Sequence, residues 1–277
     1  MEKLEMRLGH SPDPDDAFMF YGIASGKVSS ERINFVHVVE DIQSLNRRAE
    51  NGELEMTAVS VHSYLYIQRA YRILSCGASM GRGYGPIVVA KTPELELNGK
   101  TVAVPGKLTT AFLLLRLYAE GFTEVEMPFD EIMGAVEREE VDAGLLIHEG
   151  QLTFADRGLH NVLDLGHMWA QDTPLPMPLG INVVRRDIDS DLQREILRVH
   201  LESIDYGLSH KEEALDYALQ FGRGMPADLG EEFVLMYVND LTRRLGTEGK
   251  GALRYLFGRA YGRGLVTKKP TLDILEP

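Results

Sequence analysis

His148 ends the stretch Ala143-Gly144-Leu145-Leu146-Ile147-His148-Glu149, whose apolar core is too short for an independent helix and follows the acidic run Glu137-Arg138-Glu139-Glu140. The pattern reads as a buried strand of a parallel sheet, entered from the end of an amphipathic helix. Ligands of open α/β sheets sit beyond the carboxyl ends of the strands. A histidine at that edge exchanges a proton near neutral pH, which makes His148 the candidate general base. The competing reading is a strand-end histidine satisfied by a backbone carbonyl. A second signal is Pro105-Gly106-Lys107-Leu108-Thr109-Thr110, followed by the helical run Ala111 to Tyr118. Thr109 can cap that helix while the N–H groups of Thr110 and Ala111 remain free to donate to an anion.

Three further places carry polar side chains at strand or helix ends. His10-Ser11-Pro12-Asp13-Pro14-Asp15-Asp16 precedes the apolar run Ala17 to Ala24; its prolines bar a ladder strand, and Asp15 or Asp16 is suited to cap the helix that follows. The aspartates read mainly as charges that offset the helix dipole, with Asp16 singled out for a further role. Ser60 and His62 fall at the end of a third short strand, where Ser60 can meet a ligand and His62 reads as structural. Gly77 to Pro86 is glycine-rich but matches neither a dinucleotide fingerprint nor a phosphate loop. Its glycines permit a tight path, and Arg82 offers a positive donor to a carboxylate.

The elements that must position these groups alternate as β then α. Strands are predicted at Arg7–Gly9, Ile33–Val39, Met56–Val61 and Ile87–Ala90, with a helix capped by Asp41 and ended at Asn51-Gly52. Near Lys91 the chain is expected to cross into a second unit with strands at Thr101–Val104, Glu124–Met127 and Ala143–Ile147. It returns at Ile181–Val184 and continues mainly as helix, over Leu192–Leu208, Lys211–Leu219, Gly230–Asn239 and Lys250–Tyr261. The expected architecture is two α/β lobes, residues 1–90 with 181–277 and residues 91–180, with the ligand between them. Two β-α units then bring Thr109-Thr110 and His148 to one edge of the second, parallel sheet.

A chain of 277 residues with 44% hydrophobic and 26% charged residues has the make-up of a soluble globular protein with a substantial core. Its net charge of −13 argues against nucleic acid or an anionic membrane as partner, but not against a small anion held by a few local donors. Cys76 is the only cysteine, so there is no intrachain disulfide and no cysteine-based zinc cluster. The N-terminus has no apolar signal region and no apolar run is long enough to span a bilayer, so a cytoplasmic location is expected.

The ordered motifs are more specific together than apart. They are Ser11-Pro12-x-Pro14-x-Asp16-x-Phe18, Glu40-Asp41 with Leu45-Asn46, Ser60, Gly81-Arg82-Gly83-x-Gly85-Pro86, Val104-Pro105-Gly106 with Thr109-Thr110-Ala111, Ile147-His148-Glu149, Pro176-x-Pro178-Leu179-Gly180 and Glu213-Ala214-Leu215-Asp216-Tyr217. Over nearly its whole length the chain resembles the periplasmic-binding-protein-like enzymes of the futalosine route to menaquinone, most of all the 1,4-dihydroxy-6-naphthoate synthases. The resemblance implies a two-lobed type II-like binding-protein fold and a lyase that breaks carbon–carbon connectivity in cyclic dehypoxanthinylfutalosine, an anionic carboxylate. It implies no metal and no cofactor. His148 aligns with the family's proton acceptor. Ala58-Val59-Ser60 and Thr110-Ala111 fall on its substrate-contacting segments, and Ser11, Asp16, Arg82, Gly83 and Thr109 stand in the shared motifs as further substrate-binding candidates. The chain departs from many relatives at Asp13, Asp15 and Ala17, where cysteine, asparagine and threonine are common, and at His62, where a smaller residue is usual. Extra carboxylates beside an anionic substrate must face away or stay protonated. The alternatives are a chorismate dehydratase of the same route, a non-catalytic solute-binding protein for small acids, and a cytosolic ligand sensor.

Overall fold

The computed structural model describes residues 3–148, 150–221 and 227–277. In chain order the strands are β1 (Leu4–His10), β2 (Ile33–Val39), β3 (Met56–Ser60), β4 (Tyr71–Leu74), β5 (Ser79–Gly81), β6 (Ile87–Ala90), β7 (Thr101–Val104), β8 (Thr123–Glu126), β9 (Ala143–Leu146), β10 (His160–Asp164), β11 (Met177–Arg185) and β12 (Ile274–Leu275). The helices are α1 (Pro14–Ala24), α2 (Ile42–Glu50), α3 (Val61–Ile67), α4 (Thr110–Tyr118), α5 (Ile132–Glu137), α6 (Gly150–Thr153), α7 (Leu165–Asp172), α8 (Ser190–Ser209), α9 (Lys211–Leu219), α10 (Ala227–Tyr237), α11 (Asp240–Arg243) and α12 (Gly246–Gly262). None of the described helices is long and apolar enough to cross a membrane.

The strands form two sheets. The first runs β12-β4-β11-β3-β1-β2, with β5 paired to β11; the second runs β10-β6-β9-β7-β8. β1 is parallel to β2 and β3, whereas β11 returns antiparallel to β3, with Gly180 opposite Ser60. In the second sheet β7 is parallel to β8 and β9, but β6 is antiparallel to β9 and β10. That sheet is therefore mixed, where the sequence reads as wholly parallel. The lobe boundary also moves: Ile87–Ala90, read as the last strand of the first unit, pairs inside the second sheet. The crossings fall at residues 82–86 and 173–176, instead of at 91 and 180. A short apolar strand fits either sheet by pattern alone, so only its partners decide the matter.

β3 and β9 are buried along their whole length, as expected of strands covered on both faces. α1 packs on the first sheet with α8, α9 and α10, through Phe18, Phe20, Ile196, Ile204 and Val234. α5 lies tightly on β9: a Cβ built at Gly144 would stand 2.9 Å from Val136 Cγ2, so only glycine lets the helix approach this closely. This contact fixes the depth at which β9 delivers His148.

Local chemistry sets the helix starts. Asp41 accepts from the amides of Gln43 and Ser44, and Thr109 Oγ1 accepts from Phe112 N at 3.2 Å. α1 differs from expectation: its N-cap position is Asp13, ahead of Asp15 and Asp16, and the Asp13 side chain makes no capping bond. Pro14 occupies the first helical turn, where its missing N–H costs nothing.

Candidate active site

A cleft is bordered by the ends of β1, β3, β9 and β11 and by the first turns of α1 and α4. Strand ends supply its side chains for the reason given by the open-sheet rule: there the backbone stops pairing and polar side chains face a gap.

His148 lies two residues beyond β9 and lines the cleft. Its backbone is left-handed, with φ 55°, a conformation that disfavours non-glycine residues. Gln151 holds it there. The Gln151 amide N–H donates to the His148 carbonyl at 3.2 Å, and the side-chain Oε1, with the amide oriented to satisfy both ends, accepts from the His148 N–H at 3.2 Å. The imidazole meets the Phe129 ring edge-on at 5.0 Å, and its Nε2 stands 3.3 Å from Asp13 Oδ2. Glu149, read beside His148 as part of the same motif, lies outside the described residues.

The α1 turn brings three carboxyls together. Ser11 donates to Asp16 Oδ2 twice, from its amide and from its hydroxyl, each at 2.8 Å. Burial pushes the Asp16 carboxyl up to about 6, against the Ser11 bonds that favour its ionised form; Asp13 adds to the rise and His148 opposes it. Asp15 is raised well above the usual carboxylate range, first by burial and then by the charges of Asp16 and Asp13, with Ser79 Oγ 3.2 Å away. This shift favours the neutral carboxyl of Asp15, the form that donates a hydrogen bond and does not repel an anion.

The opposite wall is built for acceptance of an anion by neutral donors. Thr109 and Thr110 use their hydroxyls structurally: Thr109 Oγ1 donates to Gly106 O, and Thr110 Oγ1 donates to Leu179 O at 2.6 Å while accepting from His62 N at 3.2 Å. The first amides of α4, at Thr110 and Ala111, have no upstream helical carbonyl and open on the cleft. Ser60 stands nearby, with Ala58 and Val59 behind it on β3. Among the described residues, none that lines the cleft is lysine or arginine.

Of the residues singled out from sequence, Ser11, Asp16, Ala58, Val59, Ser60, Thr109, Thr110, Ala111 and His148 all border this cleft. Arg82 and Gly83 do not. The Arg82 guanidinium pairs with Glu248 at 2.6 Å on the surface, so the charge expected to meet a carboxylate is spent elsewhere. Gly83 has a positive φ and no neighbour in the space a Cβ would fill: it serves the turn. His62 sits behind the wall, its Nδ1 3.2 Å from Thr109 O and its Nε2 3.2 Å from the Tyr66 hydroxyl, with burial lowering it to about 4. It clamps the start of α4 without lining the cleft. The sequence reading missed Asp15, Gln151, Asn182 and Tyr237 as lining residues and Asp13 as the partner of His148. Asp13 and Asp15 were within reach, since they share a loop with Ser11. Asn182 and Tyr237 come from β11 and α10 and carry no local signal.

A model of a family described as menaquinone biosynthesis matches residues 6–262. The chain belongs to that family. It is 42% identical over 265 residues to a 1,4-dihydroxy-6-naphthoate synthase of Thermus thermophilus, covering 96% of this chain and 97% of the relative. A crystal structure of a protein from Archaeoglobus fulgidus is 50% identical, with a TM-score of 0.91 over 95% of this chain and 98% of the other. A Candida albicans protein described as having the generic periplasmic binding protein fold superposes with a TM-score of 0.68 at 12% identity, over 99% of each chain. The fold of this member of the menaquinone-biosynthesis family is thus that of periplasmic binding proteins, and a relative named as a synthase makes it one of a family of enzymes.

Proposed function

We propose that this protein is a 1,4-dihydroxy-6-naphthoate synthase, a carbon–carbon lyase that fragments cyclic dehypoxanthinylfutalosine, with His148 as the general base. The observation that carries the reading is the meeting, in one cleft, of a buried-edge imidazole with the free amides of α4 and the Ser60 hydroxyl. The family match and the synthase relative support the reaction class. In this reading the substrate carboxylate lies against the α4 amides and Ser60, where the helix dipole favours negative charge. The held substrate then presents its acidic proton to His148, and the electron pair left behind drives the carbon–carbon cleavage. Orientation and general-base transfer each lower the barrier. The proposed location is cytoplasmic, and the proposed partner is a small anionic carboxylate, with neither nucleic acid nor membrane.

The test is product analysis by mass spectrometry after incubation with the cyclic futalosine derivative and, separately, with chorismate. The naphthoate is expected from the first and no loss of water from the second; dehydration of chorismate would overturn the assignment. His148→Asn is expected to abolish turnover while leaving ligand-induced thermal stabilisation in place. Near-normal turnover by that variant would remove His148 from the base role.

A further inference from the structure

We propose that Gln43 is a positioning residue for the anion end of the cleft: together with Asn46 on the same face of α2, it sets the spacing between the first amides of α4 and Ser60. The inference rests on the reading of a carboxylate held between those groups and adds what keeps them in register.

Three observations carry it. First, Gln43 reaches across the lobes. It stands in the first turn of α2, in the first lobe, and its Oε1 accepts from Leu108 N at 3.2 Å, in the loop that joins β7 to α4 in the second. Second, the fit is close. Gln43 is 7% exposed, and a Cβ built at Gly106 would stand 2.5 Å from Gln43 Cγ, so the glutamine seats where only a glycine leaves room. Third, α2 grips both halves of the anion end. Helix positions three and four apart share a face, and Gln43 is followed at those spacings by Asn46 and Arg47. Asn46 bonds the Ser60 amide at 2.9 Å and the Ser60 hydroxyl at 3.1 Å. Arg47 pairs with Glu126, whose Oε2 accepts from Lys107 N at 3.3 Å. That ion pair lies at the surface and contributes little, so the buried Gln43 bond dominates the hold on the loop.

The loop passes the position on. Gly106 O accepts from Thr109 N at 3.2 Å and from Thr109 Oγ1 at 2.7 Å, and Thr109 in turn caps α4 at Phe112 N. Residues 106–109 thus form one hydrogen-bonded turn, and a shift at Leu108 is carried to the Thr110 and Ala111 amides that follow. Gln43 does not itself line the cleft, so its loss removes no contact with the ligand and acts through spacing alone. A carboxylate between Ser60 and the α4 amides touches both lobes, and its affinity depends on how far apart α2 holds them. His148 is held separately, by β9 and Gln151.

Two measurements test the proposal. Gln43→Met keeps the volume and removes the acceptor, and Gln43→Glu restores an acceptor. Methionine and alanine are good helix formers, and Gln43→Ala removes the same acceptor without filling the space, so two variants read the same loss. The first measurement is hydrogen–deuterium exchange over residues 105–112 of the unliganded protein. Gln43→Met and Gln43→Ala should exchange about tenfold faster there than the wild type, and Gln43→Glu close to it. The second is steady-state kinetics with the cyclic futalosine derivative. Gln43→Met should raise KM about tenfold with kcat changed by less than about threefold, and Gln43→Glu should recover part of the loss. Combined with Asn46→Ala, the rise in KM should be smaller than the product of the single effects, because each variant displaces one half of the same site. Exchange unchanged by loss of the acceptor, an unchanged KM, or single effects that simply multiply would overturn the proposal. Failure of the reaction reading is a separate result, seen as a wild type that forms no naphthoate, and the exchange result is read without substrate.

Discussion

Asn46 grips Ser60 from two sides: its Oδ1 accepts the Ser60 amide at 2.9 Å and its Nδ2 donates to Ser60 Oγ at 3.1 Å. Asn46 is fully buried on α2, so this pair ties the helix to the end of β3. Because Oγ already accepts from Asn46, its own proton is the part left for a ligand. Asn46→Ala is expected to leave the buried Ser60 amide without an acceptor and cost about 1–3 kcal/mol, read as a lowered urea midpoint. KM should rise more than kcat falls, because the hydroxyl loses its orientation and no reacting group is removed.

Thr110 joins the lobes at the cleft wall. Its hydroxyl donates to Leu179 O on β11 and accepts from His62 N on α3. Thr110→Val keeps the backbone N–H of α4 but strands both partners. Ligand-induced thermal stabilisation should shrink and KM rise by about tenfold, a loss of roughly 1.4 kcal/mol in binding, with kcat little changed. A kcat reduced as far as in His148→Asn would instead put Thr110 in the chemistry.

Gly77 lies under the cleft with φ +78°, and a Cβ built there would collide with His200 Nε2 and stand 2.6 Å from Asn182 Nδ2. Asn182 Nδ2 also donates to the Gly77 carbonyl at 2.8 Å. Gly77→Ala therefore combines a strained backbone with a clash against two buried side chains. A loss of about 2–4 kcal/mol is expected, seen as a fall in Tm of roughly 5–10 °C. Asn182 and Gly77 both line the cleft, so ligand affinity should fall with it.

The buried histidines contribute stability that acid removes below about pH 6.5. Burial lowers His62 and His37 to about 4 and His200 to about 3, so the unfolded chain takes up protons that the folded one refuses as pH falls. That contribution is full above the unfolded value of 6.5 and is lost as pH drops towards 4. Asp16 acts with the opposite sign: raised from 3.8 to about 6, it favours the folded state at low pH and gives up about 3 kcal/mol as pH rises through that window. Asp15, raised as well, acts in the same direction as Asp16, so the histidine contribution is best isolated at a single buried ring. His200 stacks on Phe20 at 4.7 Å, and neither of its ring nitrogens has a hydrogen-bond partner. His200→Leu should thus flatten the fall in urea midpoint between pH 7 and 4.5; an unchanged slope would assign the acid sensitivity elsewhere.

The local grammar of this chain is written in its residues. Asp41 and Thr109 cap the helices they precede, and the apolar runs at Met56–Ser60 and Ala143–Leu146 become buried strands, because caps and short-range periodicity depend on a few adjacent residues. The same locality placed Ser60, the α4 amides and His148 at element ends, and the ends meet in one cleft. Pairing partners were not legible: Ile87–Ala90 changed sheets, and the second sheet proved mixed, since an apolar strand states that it is buried and not beside whom. Charge was misread for the same reason. Arg82, apt for a carboxylate, found Glu248 some 166 positions away, whereas Asp13, apt for a cap, turned to His148 in the other sheet. Sequence thus determined which groups could do chemistry and on which kind of element each would stand. Only tertiary structure decided which charges are neutralised and which remain for a ligand, because that depends on long-range contacts that no local pattern contains.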